Sequence, residues 1–240
     1  MARPFAVFDI DGTLIRWQLY HAVADAMVKE GYIDASEYQK IKDARMRWKT
    51  RAGKTTFKDY EKKLIPIHNQ ALSMLTMEQF DKVANDVFRE YKDQVYTYTR
   101  DLIKQLKAKG YTLLAISGSQ SEIVGKIAAY YGFEAFVGTE YLRSGDRYSG
   151  KSIFHAADKR LVLERLISEH KLSLAGSIAV GDSTSDIPML EIVNRPIAFN
   201  PEGELLARAK AKGWEIVLER KNVIYQLKKQ NGRYILVQAN

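Results

Sequence analysis

Asp9 and Asp11 close the apolar run Phe5-Ala6-Val7-Phe8, with Gly12 directly behind them. Residues i and i+2 of an extended segment point to the same side, so the two carboxylates leave the strand together. Like charges this close repel unless a shared proton or a cation relieves them. The chain has no cysteine and no paired histidines, and an all-oxygen donor set suits magnesium. The plainer alternative is that the two acids end a strand and open an Asx-type turn. Two other stretches weigh against it. Tyr111 to Ile116 reads as a buried strand ending in Ser117-Gly118-Ser119, and Ser177 to Val180 as another ending in Gly181-Asp182. In a parallel sheet these ends share one edge, where open α/β proteins bind ligands. An isolated Asp-x-Asp would not require the other two.

The elements that must position these groups follow from apolar periodicity. The 240 residues, 46% hydrophobic and 28% charged, suit one large domain or a core with a modest insertion. Helical spacing covers Trp17 to Gly31 and Asp34 to about Thr50. A third helix is capped by Thr55 or Thr56, with Phe57 among its apolar positions, and Pro66 is expected to kink or end it. Thr76 with Gln79 forms a capping box for a fourth. After Tyr98 the pattern alternates: a helix to Gly110, a helix over Ser121 to Tyr131, a strand over Glu134 to Gly138 and a hairpin within Glu140 to Gly150. Helices follow over Ala156 to His170, Ser185 to Val193 and Glu202 to Lys212, with strands at Pro196 to Phe199 and Trp214 to Leu218. Asn222 to Asn240 is expected to add a helix and a strand at Tyr234 to Val237. The fold class is α/β: a Rossmann-like parallel sheet with helices on both faces, formed by residues 1–15 and 93–240, plus an inserted all-helical cap over 16–92.

Asp9-Ile10-Asp11-Gly12-Thr13-Leu14 resembles the first motif of the haloacid dehalogenase-like (HAD) hydrolase superfamily. Ala115-Ile116-Ser117-Gly118 is similar to its second motif. Lys159 matches the third-motif lysine, with Lys151 the rival, and Val180-Gly181-Asp182-Ser183-Thr184-Ser185-Asp186 is similar to the fourth. The resemblance implies Asp9 as a nucleophile that becomes aspartyl-phosphate and Asp11 as general acid/base. It implies Ser117, Gly118 and Lys159 as phosphate-binding groups, Asp9, Asp11 and Asp182 as ligands of Mg2+, and Asp186 as support for the metal site. Dehalogenase members lack an acid at the second position, so Asp11 favours phosphate chemistry.

The all-helical insert, and Pro196 to Pro201 followed by a helix and Gly213-Trp214, resemble the phosphoserine-phosphatase-like branch, subfamily IB. Phosphoserine phosphatases carry a glutamate soon after the first motif, and Ile15-Arg16-Trp17-Gln18-Leu19 offers none. Arg16 and Gln18 suit a different or anionic leaving group, and His21 is expected on the cap side of the site. The other histidines, His68, His155 and His170, read as surface or packing residues.

The expected function is a magnesium-dependent phosphatase acting on a small phosphorylated metabolite. A phosphomutase on the same core is an alternative. So is a catalytically silent basic module touching nucleic acid or acidic lipid through Arg45 to Lys54, consistent with a net charge of +8. A solvated basic face is the plainer account of that charge, and nucleic acid is not the expected partner. Gly53-Lys54-Thr55 lacks the earlier glycine and the preceding strand of a P-loop. No apolar stretch reaches membrane-spanning length and the N-terminus runs straight into the first motif, so the expected compartment is the cytoplasm.

Overall fold

The computed structural model describes residues 3–50, 53 and 56–239, with 56–58 described by their backbone alone. Arg51, Lys54 and Thr55 therefore lie outside the described residues, as does the side chain of Phe57. Among the described residues nine strands form one sheet in the order β4-β3-β2-β1-β5-β6-β7-β8-β9. β1 (Pro4–Phe8) is central, between β2 (Thr112–Gln120) and β5 (Ser173–Gly181), and pairs parallel with both. β3 (Ala135–Ser144), β6 (Arg195–Phe199) and β7 (Glu215–Arg220) extend the parallel set. The chain turns outward in opposite directions from β1, so the β1–β5 boundary is the topological switch point.

β1 is apolar throughout because both its faces are covered. Phe5 and Val7 join one cluster with Val162, Leu163 and Leu166 of α7 (Lys159–Glu169) and Leu205 of α9 (Gly203–Lys212). Ala6 and Phe8 join the other, with Leu102 and Ile103 of α5 (Thr97–Ala108) and Ile123 and Ile127 of α6 (Ser121–Tyr131).

Four helices stand between β1 and α5: α1 (Leu19–Lys29), α2 (Ala35–Lys49), α3 (Thr56–Met74) and α4 (Met77–Tyr91). Asp34 caps α2, and the Thr76–Gln79 capping box opens α4. α1 and α4 are built into the sheet's own core, through Leu19, Val23, Met27, Phe80 and Val83. α2 and part of α3 instead share a small cluster of Ile41, Ala44, Tyr60 and Leu64 with Ala24 of α1. Among the described residues no helix is long and apolar enough to cross a membrane.

Four expectations change. α3 does not end at Pro66 but continues to Met74; an exposed proline withholds only one intrahelical N–H donor. The helix expected over Ser185 to Val193 is a 3₁₀ turn, Thr184–Asp186, followed by the single turn α8 (Ile187–Leu190). Ser183 and Asp186 cap each other there and keep the segment tight. The hairpin after Gly138 is longer than expected, β3 pairing with β4 (Arg147–Ile153), and its tip reaches α3 and α4 through Arg147 to the Met74 carbonyl and Met77 N–H to the Asp146 carbonyl. Among the described residues the C-terminal segment contains no helix. It is a hairpin, β8 (Val223–Gln230) and β9 (Arg233–Ala239), turned at Asn231-Gly232 with φ of 48° and 79°, the signature of a type I′ turn.

Candidate active site

The carboxyl ends of β1, β2 and β5 meet as the alternation requires. Asp9 follows β1 directly, and its Oδ1 accepts from Lys159 Nζ at 2.6 Å. Lys159 opens α7 and is buried; the same ammonium donates to Asp186 Oδ1 at 2.6 Å and to the Ile116 carbonyl at 3.2 Å. Lys159, and not the exposed Lys151 of β4, is thus the lysine at the site. Asp186 Oδ2 accepts from the N–H groups of Asp182 and Ser183 at 3.0 and 2.9 Å, tying the loop after β5 to the 3₁₀ turn.

Two glycines permit this closeness. A Cβ on Gly181 would lie 2.4 Å from the Asp186 Cβ. Gly12 has φ of +86°, and a Cβ there would lie 2.4 Å from Asp182 Oδ2, so only glycine lets the first-motif turn pass over that acid.

Carboxylate oxygens of Asp9, Asp182 and Asp186 all lie within 4.8 Å of one another. Asp11 does not join this group through its side chain. Its Oδ2 accepts from Ser117 Oγ at 2.6 Å, and its Oδ1 from Leu19 N–H at 2.5 Å and Ser119 Oγ at 3.1 Å. Its two oxygens face the Ser117 and Ser119 hydroxyls and the Leu19 N–H, while the third carboxylate beside Asp9 and Asp182 is that of Asp186. Gly118 is the one partly exposed residue in the otherwise buried β2.

Burial pushes the Asp9 carboxyl up to about 7; Lys159 pulls against this, and the charges of Asp186 and Asp11 add to it. Burial, then Asp9 and Asp186, holds Asp182 well above the usual carboxylate range. Asp11 is also raised by burial, against its bonds from Ser117, Leu19 and Ser119. Burial alone would lower the Lys159 ammonium, but the charges of Asp186 and Asp9 outweigh it and hold it above its ordinary value. Four acids crowd one ammonium. The arrangement is short of positive charge, which a divalent cation or a proton must supply.

The residues expected to select substrate are placed differently. Arg16 turns away from the acids: its Nη2 pairs with Glu219 at 2.5 Å and its Nε donates to the Val95 carbonyl at 2.8 Å. His21 is buried among aromatic rings, 4.6 Å from Tyr60 and 5.8 Å from Trp48, and burial pushes its pKa down to about 3. Gln18 is half-buried and directly precedes Leu19, whose N–H binds Asp11. Arg45, expected on a basic face, points inward to bind Asp25 through both Nη atoms at 2.8 and 2.6 Å. Arg47 and Lys49 are exposed.

Two residues escaped the sequence reading. Ser119 holds Asp11 and receives Tyr20 N–H at 3.0 Å; its i+2 spacing from Ser117 on β2 was a usable sign. Thr13 donates to Asp182 Oδ1 at 3.1 Å from within the first motif itself.

The family model for haloacid dehalogenase-like hydrolases matches residues 6–191. A histidinol-phosphatase from Neisseria meningitidis serogroup C (strain 8013) is 26% identical over 229 residues, covering 90% of this chain and 98% of that protein. A phosphoserine phosphatase from Lactococcus lactis subsp. lactis (strain IL1403) is 30% identical over 201 residues, covering 82% of this chain and 84% of its own. In structure the chain is similar to a protein of unknown function from Bordetella pertussis Tohama I, with a TM-score of 0.74, 22% identity and coverage of 90% and 98%. With four acids and one lysine gathered at one sheet edge, all inside the stretch the family model matches, the chain belongs to the haloacid dehalogenase-like hydrolase family, on its phosphoserine-phosphatase-like branch of phosphoric monoester hydrolases.

Proposed function

We propose that the chain is a magnesium-dependent phosphatase that hydrolyses a small phosphomonoester in two displacements, with Asp9 as nucleophile. The observation that carries this reading is the Lys159 ammonium shared between Asp9 and Asp186, with Asp182 beside them.

Asp9, Asp182 and Asp186 fit a hard divalent cation: their donors are all oxygen, mutually within 4.8 Å, and carboxylates this close repel until positive charge joins them. Asp182 and Asp186 would hold the metal together with Asp9. When bound, magnesium supplies charge neutralisation for the phosphate oxygens and for these buried acids.

An Asp9 carboxylate oxygen attacks phosphorus, the bond to the leaving oxygen breaks, and Asp11 delivers its proton to that oxygen. Water then attacks the aspartyl-phosphate, its proton passes to Asp11, and the Asp9 carboxylate is restored. Splitting hydrolysis into two displacements avoids one difficult step. Lys159 lowers the repulsion between an anionic Asp9 and an incoming phosphate. Ser117 Oγ and the Gly118 backbone N–H hold phosphoryl oxygens, the serine exchanging its bond to Asp11 for one to substrate. Burial keeps the Asp11 carboxyl raised, which suits a proton carrier.

A histidinol-phosphatase aligns along 90% of the chain and 98% of its own length, and a phosphoserine phosphatase along 82% and 84%. Histidinol phosphate is therefore the first ester to assay and phosphoserine the second, with Gln18 the residue proposed to face the leaving group. The test is release of inorganic phosphate from a panel of phosphorylated metabolites, with and without magnesium, by the wild type and by Asp9→Asn. Asp9→Asn is expected to lose at least about a thousandfold in kcat; turnover at the wild-type rate overturns the assignment.

A further inference from the structure

Glu219 is a buried carboxylate on the same sheet edge as the site, and the hydrolysis described above makes no use of it. Its side chain is 1% exposed. Near the end of β7, its Oε1 accepts from Arg16 Nη2 at 2.5 Å and from Thr97 N–H at 3.1 Å, and its Oε2 from Tyr98 N–H at 2.8 Å. Asn200, at the end of β6, braces it through the Glu219 N–H at 2.8 Å.

These partners sit on the two places where the chain crosses between sheet and cap. Arg16 lies on the outgoing crossing. Val95 to Tyr98 form the returning one, where Thr97 and Tyr98 begin α5 with N–H groups that need acceptors. Arg16 also binds the Val95 carbonyl through Nε at 2.8 Å. Backbone bonds from Arg16 N to Gln94 O and from Tyr96 N to Leu14 O, 2.9 and 3.0 Å, run the crossings side by side. One carboxylate thus clasps both crossings to β7.

Only Trp17 and Gln18 separate Arg16 from Leu19, whose N–H holds Asp11 Oδ1 at 2.5 Å, and Tyr20, whose N–H reaches Ser119 Oγ at 3.0 Å. The first turn of α1 is therefore positioned between the clasp on one side and the Asp11 carboxyl on the other. We propose that Glu219 and Arg16 are positioning residues for the acid–base step: they fix the outgoing crossing, and through it the Leu19 N–H that orients Asp11. This rests on Asp11 acting as the general acid. It also replaces the expectation that Arg16 meets the substrate.

The test compares two nearly isosteric esters whose leaving oxygens differ in their need for a proton, p-nitrophenyl phosphate and phenyl phosphate, in the wild type, Arg16→Ala, Arg16→Lys and Glu219→Gln. Two of these variants loosen the clasp without dismantling α5: Glu219→Gln keeps the volume and one acceptor for the helix, and Arg16→Ala leaves the α5 bonds intact. In both, kcat/KM on phenyl phosphate, which reports only the step in which the leaving oxygen takes its proton, is expected to fall about tenfold, a fraction of what complete general-acid catalysis supplies, while kcat/KM on p-nitrophenyl phosphate falls less than about twofold. Arg16→Lys recovers most of the loss. Independently of turnover, hydrogen exchange at the Leu19 and Tyr20 amides is expected to quicken about tenfold in Arg16→Ala while β5 keeps its protection. Equal losses on both esters, or unchanged exchange at Leu19 and Tyr20, overturns the proposal. Absence of magnesium-dependent turnover in the wild type strikes the hydrolase reading instead, and the exchange measurement still decides the clasp.

Discussion

Lys159 Nζ lies 2.6 Å from Asp9 Oδ1, and both side chains are almost wholly withdrawn from solvent. The same nitrogen holds Asp186 at 2.6 Å. A buried ammonium between two buried acids contributes little net stability as a pair, but removing it strands the acids. Lys159→Met is expected to abolish measurable turnover. In the presence of a chelator it should lower the unfolding free energy by about 3–5 kcal/mol, the usual cost of breaking a buried ion pair. Magnesium should recover part of that loss by supplying the missing positive charge. Urea melts with and without magnesium check this, and an identical deficit in both conditions would place the metal elsewhere.

Gly12 separates the first motif from Asp182 by a distance no side chain fits. At φ of +86° and 2.4 Å from Asp182 Oδ2, an added methyl must displace the acid, the turn, or both. Gly12→Ala is expected to fold with a loss of about 1–3 kcal/mol and to raise the magnesium concentration for half-maximal activity at least about tenfold, the effect of misplacing a group that orients a ligand. Titrating activity against magnesium separates this from a fall in kcat at saturating metal.

Legibility followed the range of the interactions. Asp9, Asp11, Ser117 and Asp182 could be read because strand alternation and one shared sheet edge bring them together whatever the rest of the chain does. Lys159 and Asp186 came from the family motifs, and the structure shows them bonded to each other and to Asp9. Arg16 could not be read: its partner Glu219 is 203 residues away and no local pattern announces the pair. Arg45 misled in the same way, since a basic run says nothing about which member turns inward to an acid such as Asp25. The sheet core was visible in its apolar strands, whereas the share of α1 and α4 in that same core depends on long-range packing that periodicity does not encode.

The C-terminal hairpin shows a signal present and unread. Asn231-Gly232 between two alternating segments marks a two-residue turn, and Gly232 sits at φ of +79° with open space where a methyl group would stand. Gly232→Ala therefore meets no clash and incurs only the conformational penalty, expected at about 1 kcal/mol. Its turnover should equal that of the wild type, because β8 and β9 lie beyond β7 on the side away from the acids. Thermal melts together with kcat on any hydrolysed ester test both halves of this expectation.

His68 joins α3 to the end of β2 in the neutral form. The Gln120 side-chain amide lies 2.9 Å from His68 Nε2, a bond the neutral ring makes as donor or as acceptor according to its tautomer. Burial pushes the imidazole down to about 4, below the value near 6.5 expected in an unfolded chain. The unfolded state therefore binds the proton first, and the neutral form's contribution is fully present above about pH 6.5 and is lost as pH falls toward about 4. By pH 5 that loss amounts to about 2 kcal/mol. His68→Phe leaves the Gln120 amide without its partner and is less stable than the wild type at pH 7, but it has no proton to take up. The gap between the two proteins should close by about that amount between pH 7 and pH 5 in urea melts, and a gap independent of pH would mean that folding leaves the proton affinity of His68 unchanged.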